Sequence, residues 1–320
     1  MNTPASDAPV AALPAAEAIR SDRAAETGRG IALMVLAVGL FAIMDALVKW
    51  LGPTYPTLQL VFFRNLFAFV PLAVYMLRAG SLTGLRTRRP FAHAVRALVG
   101  LASLSCLFYA FAHMPLADVV AISFAAPLFV TALAVPLLGE VVGRRRWTAV
   151  LVGFLGVLIM IRPDAGVLEP VAIVALAGTV GYALVMIFVR KLSRTESSAA
   201  IVFYYSLSST LIAGAFMPFQ WVTPNAEDLV LLIAVGLVGG LAQITVTNAF
   251  RLADVSVVAP FDYTAMIWAA LLGFFVWGDM PELNIWIGVA VVVASGVYIA
   301  RRETRLGLPR GIARRLHARR

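Results

Sequence analysis

Apolar residues in this chain fall into blocks long enough to cross a bilayer, each closed by a short turn. A helix rises about 1.5 Å per residue, so about 20 apolar residues cover a hydrocarbon layer of about 30 Å. Ten blocks meet this description, at about 30–50, 57–77, 93–113, 117–138, 146–162, 168–190, 198–218, 228–249, 255–277 and 283–300. Gly52-Pro53, Met114-Pro115 and Arg162-Pro163 mark three of the turns, since proline disfavours a helix continuing through it. Residues 93–138 would otherwise read as fewer, longer helices, and Pro115 followed by Asp118 divides them. No polar stretch is long enough for a separate soluble domain. The predicted fold class is an all-α integral membrane protein with ten transmembrane helices.

The pattern repeats. Displaced by 139 residues, Ala110-Phe111 falls on Ala249-Phe250, Val119 on Val258, Gly139-Glu140 on Gly278-Asp279, Trp147 on Trp286, and Arg162 on Arg301. Nearer the start of each half the displacement is 141, with Lys49 on Arg190, Leu51 on Leu192, Val61 on Val202 and Phe62 on Phe203. Five spans separate equivalent positions, an odd number, so the halves are two inverted five-helix repeats. Inverted duplications of this kind are the commonest ground plan of secondary transporters, with substrate bound where the repeats meet. The expected division is a disordered cytoplasmic tail at 1–29, a first repeat at 30–162, a second at 168–300, and a basic cytoplasmic tail at 301–320.

Composition agrees with this reading: 61% of residues are hydrophobic and 13% charged, about half the charged share of a soluble domain. Cytoplasmic loops carry an excess of Lys and Arg, which orients the chain. With both termini cytoplasmic, the basic residues outside the spans fall on the cytoplasmic side, except Lys49 and Arg162 at outer helix ends. In this count the loop and helix start from Arg78 to Arg96 are cytoplasmic, and Arg64 is the basic residue placed within a span. The arginine-rich C-terminal segment abuts a membrane span and reads as a topology determinant touching anionic lipid, with no nucleic-acid partner. Residues 1–29 contain no apolar block long enough for a signal-peptide core. The single cysteine, Cys106, lies in an apolar run and excludes an intrachain disulfide. His93 and His113 flank one predicted helix at opposite interfaces, and no metal cluster is visible.

Several of these residues form a pattern already known. Pro127 with its small apolar run, Gly139-Glu140, Trp147, Gly153 and Gly156 resemble the EamA repeat of the drug/metabolite transporter superfamily; Gly278-Asp279, Trp286, Gly288 and Gly296 stand in the second copy. Phe62 to Asn65, reading FFRN, is similar to the second helix of that family. The resemblance covers about residues 30–301. It implies a ten-helix carrier of small organic metabolites, such as amino acids, nucleobases, riboflavin or S-adenosylmethionine, without cofactor or ATP, in a bacterial inner (plasma) membrane. Two departures stand out: Asp279 replaces the family's Glu, and Arg64 is answered in the other half by Tyr205.

An ionised side chain within the bilayer costs about 2.5–3.5 kcal/mol on insertion scales and therefore marks function or a specific partner. Asp45 lies about 8 Å along the first helix from its outer end and Arg64 about 10 Å from the same surface along the second. They read as an ion pair locking two helices, or as a substrate site in which Arg64 takes a carboxylate or phosphate and Asp45 a proton or an amine. Asp262 lies on the cytoplasmic side of the midplane beside Pro260 and Tyr263, where the helix can open and free carbonyls for a polar ligand. It is a candidate coupling-proton site, or else is satisfied by Thr245, Thr247 or Asn248 of the neighbouring helix. Gln243 and Asn248, with Tyr109, Tyr182, Tyr204 and Tyr205, bring amide and phenol groups to membrane depth. Together with Phe124 and Trp268 they suit a cavity for a planar substrate, although ordinary packing accounts for each singly. Gly236 and Gly240 form a GxxxG that permits close helix contact. Glu140 and Asp279 stand at helix ends, suited to capping or a surface ion pair.

The reading that best joins these features is a secondary transporter working by alternating access, a monomer or homodimer in the lipid bilayer that carries a small-molecule substrate and is not an enzyme. A membrane-embedded enzyme acting on lipid would need His or paired carboxylates on a loop, and the loops are short. A channel is the other alternative. The repeat is unequal where it carries charge: Asp45 and Arg64 face Met186 and Tyr205, and Asp262 faces Ser123.

Overall fold

The computed structural model describes residues 12–79, 87, 89–139, 143–161, 170–193, 195–252 and 258–305. Its elements are α1 (Ala12–Leu51), α2 (Thr57–Ala79), α3 (Pro90–His113), α4 (Leu116–Ser123), α5 (Ala126–Leu138), α6 (Arg144–Ile161), α7 (Pro170–Leu192), α8 (Ser198–Gln220), α9 (Ala226–Leu252), a 3-10 turn (Ala259–Thr264), α10 (Ala265–Trp277) and α11 (Leu283–Arg305). Every described element is helical. In lipid this follows from backbone chemistry, because a helix satisfies its own N–H and C=O groups where no water can.

Seven stretches are long and apolar enough to cross a membrane: Glu26–Leu51, Thr57–Tyr75, Pro90–His113, Leu116–Leu138, Pro170–Leu192, Ala200–Gln220 and Ala226–Leu252. Three more, Trp147–Ile161, Phe261–Trp277 and Leu283–Tyr298, are apolar but shorter. The structure differs from the apolar blocks in three respects. α1 starts at Ala12, so helical backbone runs through part of the segment expected to be a disordered tail; that segment is rich in Ala, the strongest helix former, and a span already nucleated can propagate into it. The block at 117–138 is two helices, broken at Phe124-Ala125. The ninth block contains a 3-10 turn before its helix. Glu140, Arg162 and the terminal segments 1–11 and 306–320 lie outside the described residues.

Helix packing repeats with the halves exchanged. α1 runs along α9 and its counterpart α7 runs along α3; α2 meets α9 as α8 meets α3. Three pairs join corresponding parts of the two repeats: α2 with α8, α6 with α11, and, between the fourth and ninth blocks, α4 with α10. A two-fold relation between the repeats requires this pattern, and those three contacts lie about its axis.

Lipid tails are as apolar as leucine, so close packing and hydrogen bonds hold these helices together. A Cβ at Gly236 would sit 2.7 Å from the Phe63 carbonyl oxygen, and one at Gly240 3.0 Å from Ala68 Cα; the GxxxG lets the backbones of α9 and α2 touch. Gly156 and Gly288 do the same between α6 and α11. The fully buried Gln59 accepts from the Val222 amide (3.0 Å) and donates to the Val222 carbonyl (2.8 Å), tying α2 to the segment before α9. Ser103 Oγ donates to the Gly178 carbonyl at 2.8 Å, tying α3 to α7. The repeated Gly-acid pair has a backbone cause. Gly139 (φ 66°) and Gly278 (φ 74°) terminate α5 and α10 in the left-handed region, which favours glycine.

Candidate functional site

Both helices that meet across the two-fold axis are interrupted at the same point of the repeat. Pro127 cannot donate to the Ser123 carbonyl and its ring crowds that group, so α4 ends at Ser123 and α5 restarts at Ala126. Ser123 Oγ turns back onto the Val119 carbonyl at 2.8 Å. In the other half, Pro260 stands in the first turn of the 3-10 segment that precedes α10, and Thr264 Oγ1 donates to the Phe261 carbonyl at 2.7 Å. Phe124 and Tyr263, equivalent at the displacement of 139, pack edge to face with ring centroids 5.0 Å apart and planes at 86°. Broken helices in corresponding positions of two repeats are the structural pointer to a carrier's binding site.

Beside this crossing is a cavity of about 70 Å³ lined by Val38, Phe41, Ala42 and Asp45 of α1, Val120 of α4, Asp262 of the 3-10 turn and Ala265 of α10. Asp45 and Asp262, far apart in the chain, thus share one space. Among the described residues neither makes a side-chain hydrogen bond or ion pair. The Thr245 and Thr247 hydroxyls, expected as partners of Asp262, instead donate to the Leu241 and Gln243 carbonyls of their own helix at 2.8 Å. Tyr182 and Tyr263 lie within electrostatic range of Asp262. Trp268 of α10 covers α1 at Gly39, where a Cβ would meet its indole at 3.3 Å. Tyr109 stacks on His113 with centroids 4.1 Å apart, while Gln243 and Asn248 are half-buried on α9; none of these three lines the cavity. A larger cleft of about 250 Å³ lies between α3 and α7, but its lining of Arg89, Phe91, Ala92, Val95, Phe188, Lys191 and Leu192 contains no buried polar group.

Arg64 does not form the direct ion pair with Asp45 considered from the sequence, although the two interact across space. Its Nη1 donates to Asn65 Oδ1 at 3.1 Å, and its buried Nε has no partner. Arg96, which charge counting grouped with the cytoplasmic loop, is buried within α3, its guanidinium over the Tyr205 ring at 4.0 Å from the centroid. Its position inside the predicted span was the available signal. Tyr204 takes a different partner, His93, at 4.9 Å between ring centroids, and His93 Nε2 lies 3.6 Å from Glu196.

At the predicted outer end, Lys49 Nζ contacts Asp279 Oδ2 at 2.5 Å and lies 4.9 Å from the Trp277 ring centroid; Trp50 packs on that ring at 6.4 Å. Asp279 is therefore an ion-pair residue, as expected of a helix end, but its partner comes from the other half of the chain. Among the described residues no group of His, Cys, Asp and Glu is placed to hold a metal.

Comparison with known proteins places this architecture. Residues 28–162 and 170–301 each match the EamA-like transporter family. The chain is 26% identical over 274 residues to a Rickettsia prowazekii protein named S-adenosylmethionine uptake transporter, covering 86% of this chain and 93% of the relative. It is 34% identical over 281 residues to the pseudopaline exporter CntI of Pseudomonas aeruginosa, covering 87% and 97%. A riboflavin transporter of Vibrio cholerae is 29% identical over 279 residues, covering 86% and 94%. One crystal structure shares the fold with a TM-score of 0.58 at 20% identity, covering 89% of this chain and 99% of that one.

Proposed function

The chain belongs to the EamA-like transporter family and is an integral membrane transporter, and from that premise we propose that it is a secondary carrier of a small organic metabolite, working by alternating access in the bacterial inner membrane. In this reading the three shorter apolar helices also span, giving ten spans in two inverted repeats with both termini cytoplasmic. The protein acts as a monomer or homodimer and performs no chemistry on its cargo.

The observation that carries the proposal is the meeting of two interrupted helices at Phe124 and Tyr263, with Asp45 and Asp262 in the cavity beside it. A cavity of about 70 Å³ holds about two waters, whereas a metabolite needs a pocket of about 300 Å³ or more. Substrate must therefore be admitted by movement of the repeats. The interrupted segments can supply it, because their backbone is not locked in a continuous hydrogen-bond ladder. Asp45 and Asp262 act as coupling groups, exchanging protons as the cavity opens to either side. Arg64 binds an anionic group of the substrate. Tyr263, Tyr182 and Tyr205 form walls near these charges, with Tyr109, Gln243 and Asn248 along the path.

The relatives named above are an S-adenosylmethionine uptake transporter, a pseudopaline exporter and a riboflavin transporter, so polyfunctional water-soluble metabolites are the class to assay. Purified protein in proteoliposomes is expected to move labelled S-adenosylmethionine or riboflavin with saturable kinetics and with counterflow. Linear, non-saturating flux of every probe would overturn the carrier reading in favour of a channel.

A further inference from the structure

Two guanidiniums in the membrane part have donors with nothing to bind. Arg96 is 9% exposed, and its Nε and Nη1 are buried without a hydrogen-bond partner. Its flat face rests on Tyr205, and Gly100, one turn further along α3, leaves room for both groups: a Cβ there would meet the Tyr205 ring at 2.7 Å and Arg96 Nη1 at 3.6 Å. The ring fixes the plane of the guanidinium and leaves its edge, where the N–H donors are, free. On α2, Arg64 has a buried unpartnered Nε, and its Nη1 donates to a neutral amide, Asn65. The two cations are close enough to act on each other electrostatically, so neither relieves the other.

Their position is specific. Tyr205, which holds Arg96, is the repeat counterpart of Arg64 at the displacement of 141, and α2 meets α8 about the two-fold axis. The cations therefore flank the line where the halves meet. Among the described residues neither has a direct ion pair with a carboxylate. Asp45 acts on Arg64 only across space, and the guanidinium edge of Arg96 faces no described carboxylate at bonding distance. Like charges held out of water with so little compensation are unfavourable, and a bound anion supplies what the protein does not. A guanidinium edge matches a carboxylate in two parallel N–H···O bonds, which an ammonium cannot reproduce.

We propose that Arg64 and Arg96 form a carboxylate-binding site at the junction of the repeats, so that the transported metabolite is an organic acid or an amino-acid derivative. This rests on the carrier reading and narrows it: a neutral substrate would leave the buried donors of Arg64 and Arg96 without an anionic partner.

The test is thermal stabilisation of the purified full-length protein by carboxylates, each matched with an analogue lacking the carboxylate: glutarate with glutaramide, succinate with succinamide, S-adenosylmethionine with its decarboxylated form. At least one acid is expected to raise the melting temperature while its partner does not. Arg64→Gln and Arg96→Gln are each expected to weaken that acid by about tenfold or more, and Arg96→Lys by less, as fits the loss of charge-assisted hydrogen bonds. Size-exclusion profiles matching wild type establish that the variants are folded. The site is overturned if no acid exceeds its neutral partner, if inorganic phosphate stabilises as well as the acids, or if the folded Gln variants keep the preference. Riboflavin carries no carboxylate, and its unaltered saturable uptake by the Arg64→Gln/Arg96→Gln protein would sink this inference while leaving the carrier reading intact. Non-saturable flux of every probe would sink the carrier reading instead.

Discussion

Phe124 and Tyr263 occupy the same position in the two repeats, and their rings meet edge to face at 5.0 Å where two broken helices cross. Residues equivalent under a two-fold relation touch only at its axis, so this contact locates the axis within the membrane part. An aromatic pair of this geometry contributes about 0.5–1.5 kcal/mol beyond its burial. Tyr263→Phe keeps the ring and is expected to preserve both stability and transport. Phe124→Ala removes the contact and is expected to lower the melting temperature and transport together; wild-type behaviour of Phe124→Ala in both assays would show that the crossing is incidental.

Pro127 interrupts α4 and α5, and an interior proline costs a helix about 3 kcal/mol. Pro127→Ala restores the N–H that can bond the Ser123 carbonyl. The expected protein is more heat-stable and slower in transport, because the hinge has become continuous helix. Uptake at the wild-type rate in a protein shown to be stabilised would mean that the break serves packing alone.

Asp45 and Asp262 share the cavity without a hydrogen-bonded partner among the described residues. Asp45→Asn and Asp262→Asn, at normal protein level, are each expected to reduce concentrative transport by about tenfold or more, the rate equivalent of about 1.4 kcal/mol. Exchange of substrate across equal concentrations is expected to be less affected, since it needs no net proton movement. Collapsing the proton gradient should abolish accumulation by the native protein. Accumulation that survives a protonophore would remove both residues from a proton-coupling role.

Lys49 and Asp279 join the C-terminal end of α1 to the segment after α10. Half-exposed ion pairs are worth about 0–1 kcal/mol, and the Trp277 face adds about 0.5–1 kcal/mol. A double-mutant cycle with Lys49→Met and Asp279→Asn, read by thermal unfolding at low and high salt, is expected to give a coupling that shrinks with salt. Strict additivity of the two substitutions would show that the contact is energetically idle.

Gly236 and Gly28 make an internal control. A Cβ at Gly236 would run into the α2 backbone, while Gly28 has nothing within 4 Å. Gly236→Ala is expected to destabilise by separating α9 from α2. Gly28→Ala, inside α1, is expected to be neutral or to stabilise by up to about 1 kcal/mol. Equal tolerance at both positions, measured by melting temperature, would argue against tight α2–α9 packing.

The fold was legible in the sequence where local chemistry dictates it. Block length and apolar composition predict where the helices lie, because a segment in lipid must satisfy its own backbone. The self-match at 139 and 141 located the duplicated unit, and the Gly-acid pairs proved to be left-handed helix ends. The interruptions are only half visible in the sequence: Pro260 beside Asp262 signals an opening, whereas Pro127 carries a family resemblance and does not by itself signal the break between α4 and α5. Proline reports a local backbone restriction, but whether a helix bends, breaks or restarts depends on what packs against it.

The candidate site divides in the same way. Asp45, Arg64 and Asp262 stood out from the sequence because an ionised group within an apolar block is locally anomalous. Their relationships did not, since a pairing depends on the crossing of helices distant in the chain. The tertiary structure placed Asp45 with Asp262 rather than in direct contact with Arg64, spent Thr245 and Thr247 on their own helix, and gave Lys49 a partner 230 residues away in Asp279. It also turned Arg96 from a loop charge into a buried cation held by Tyr205. Sequence alone determined the medium, the helices and the duplication, because those depend on composition and on neighbours along the chain. Only the tertiary structure decided which charges face one another, because that depends on where helices from opposite halves meet.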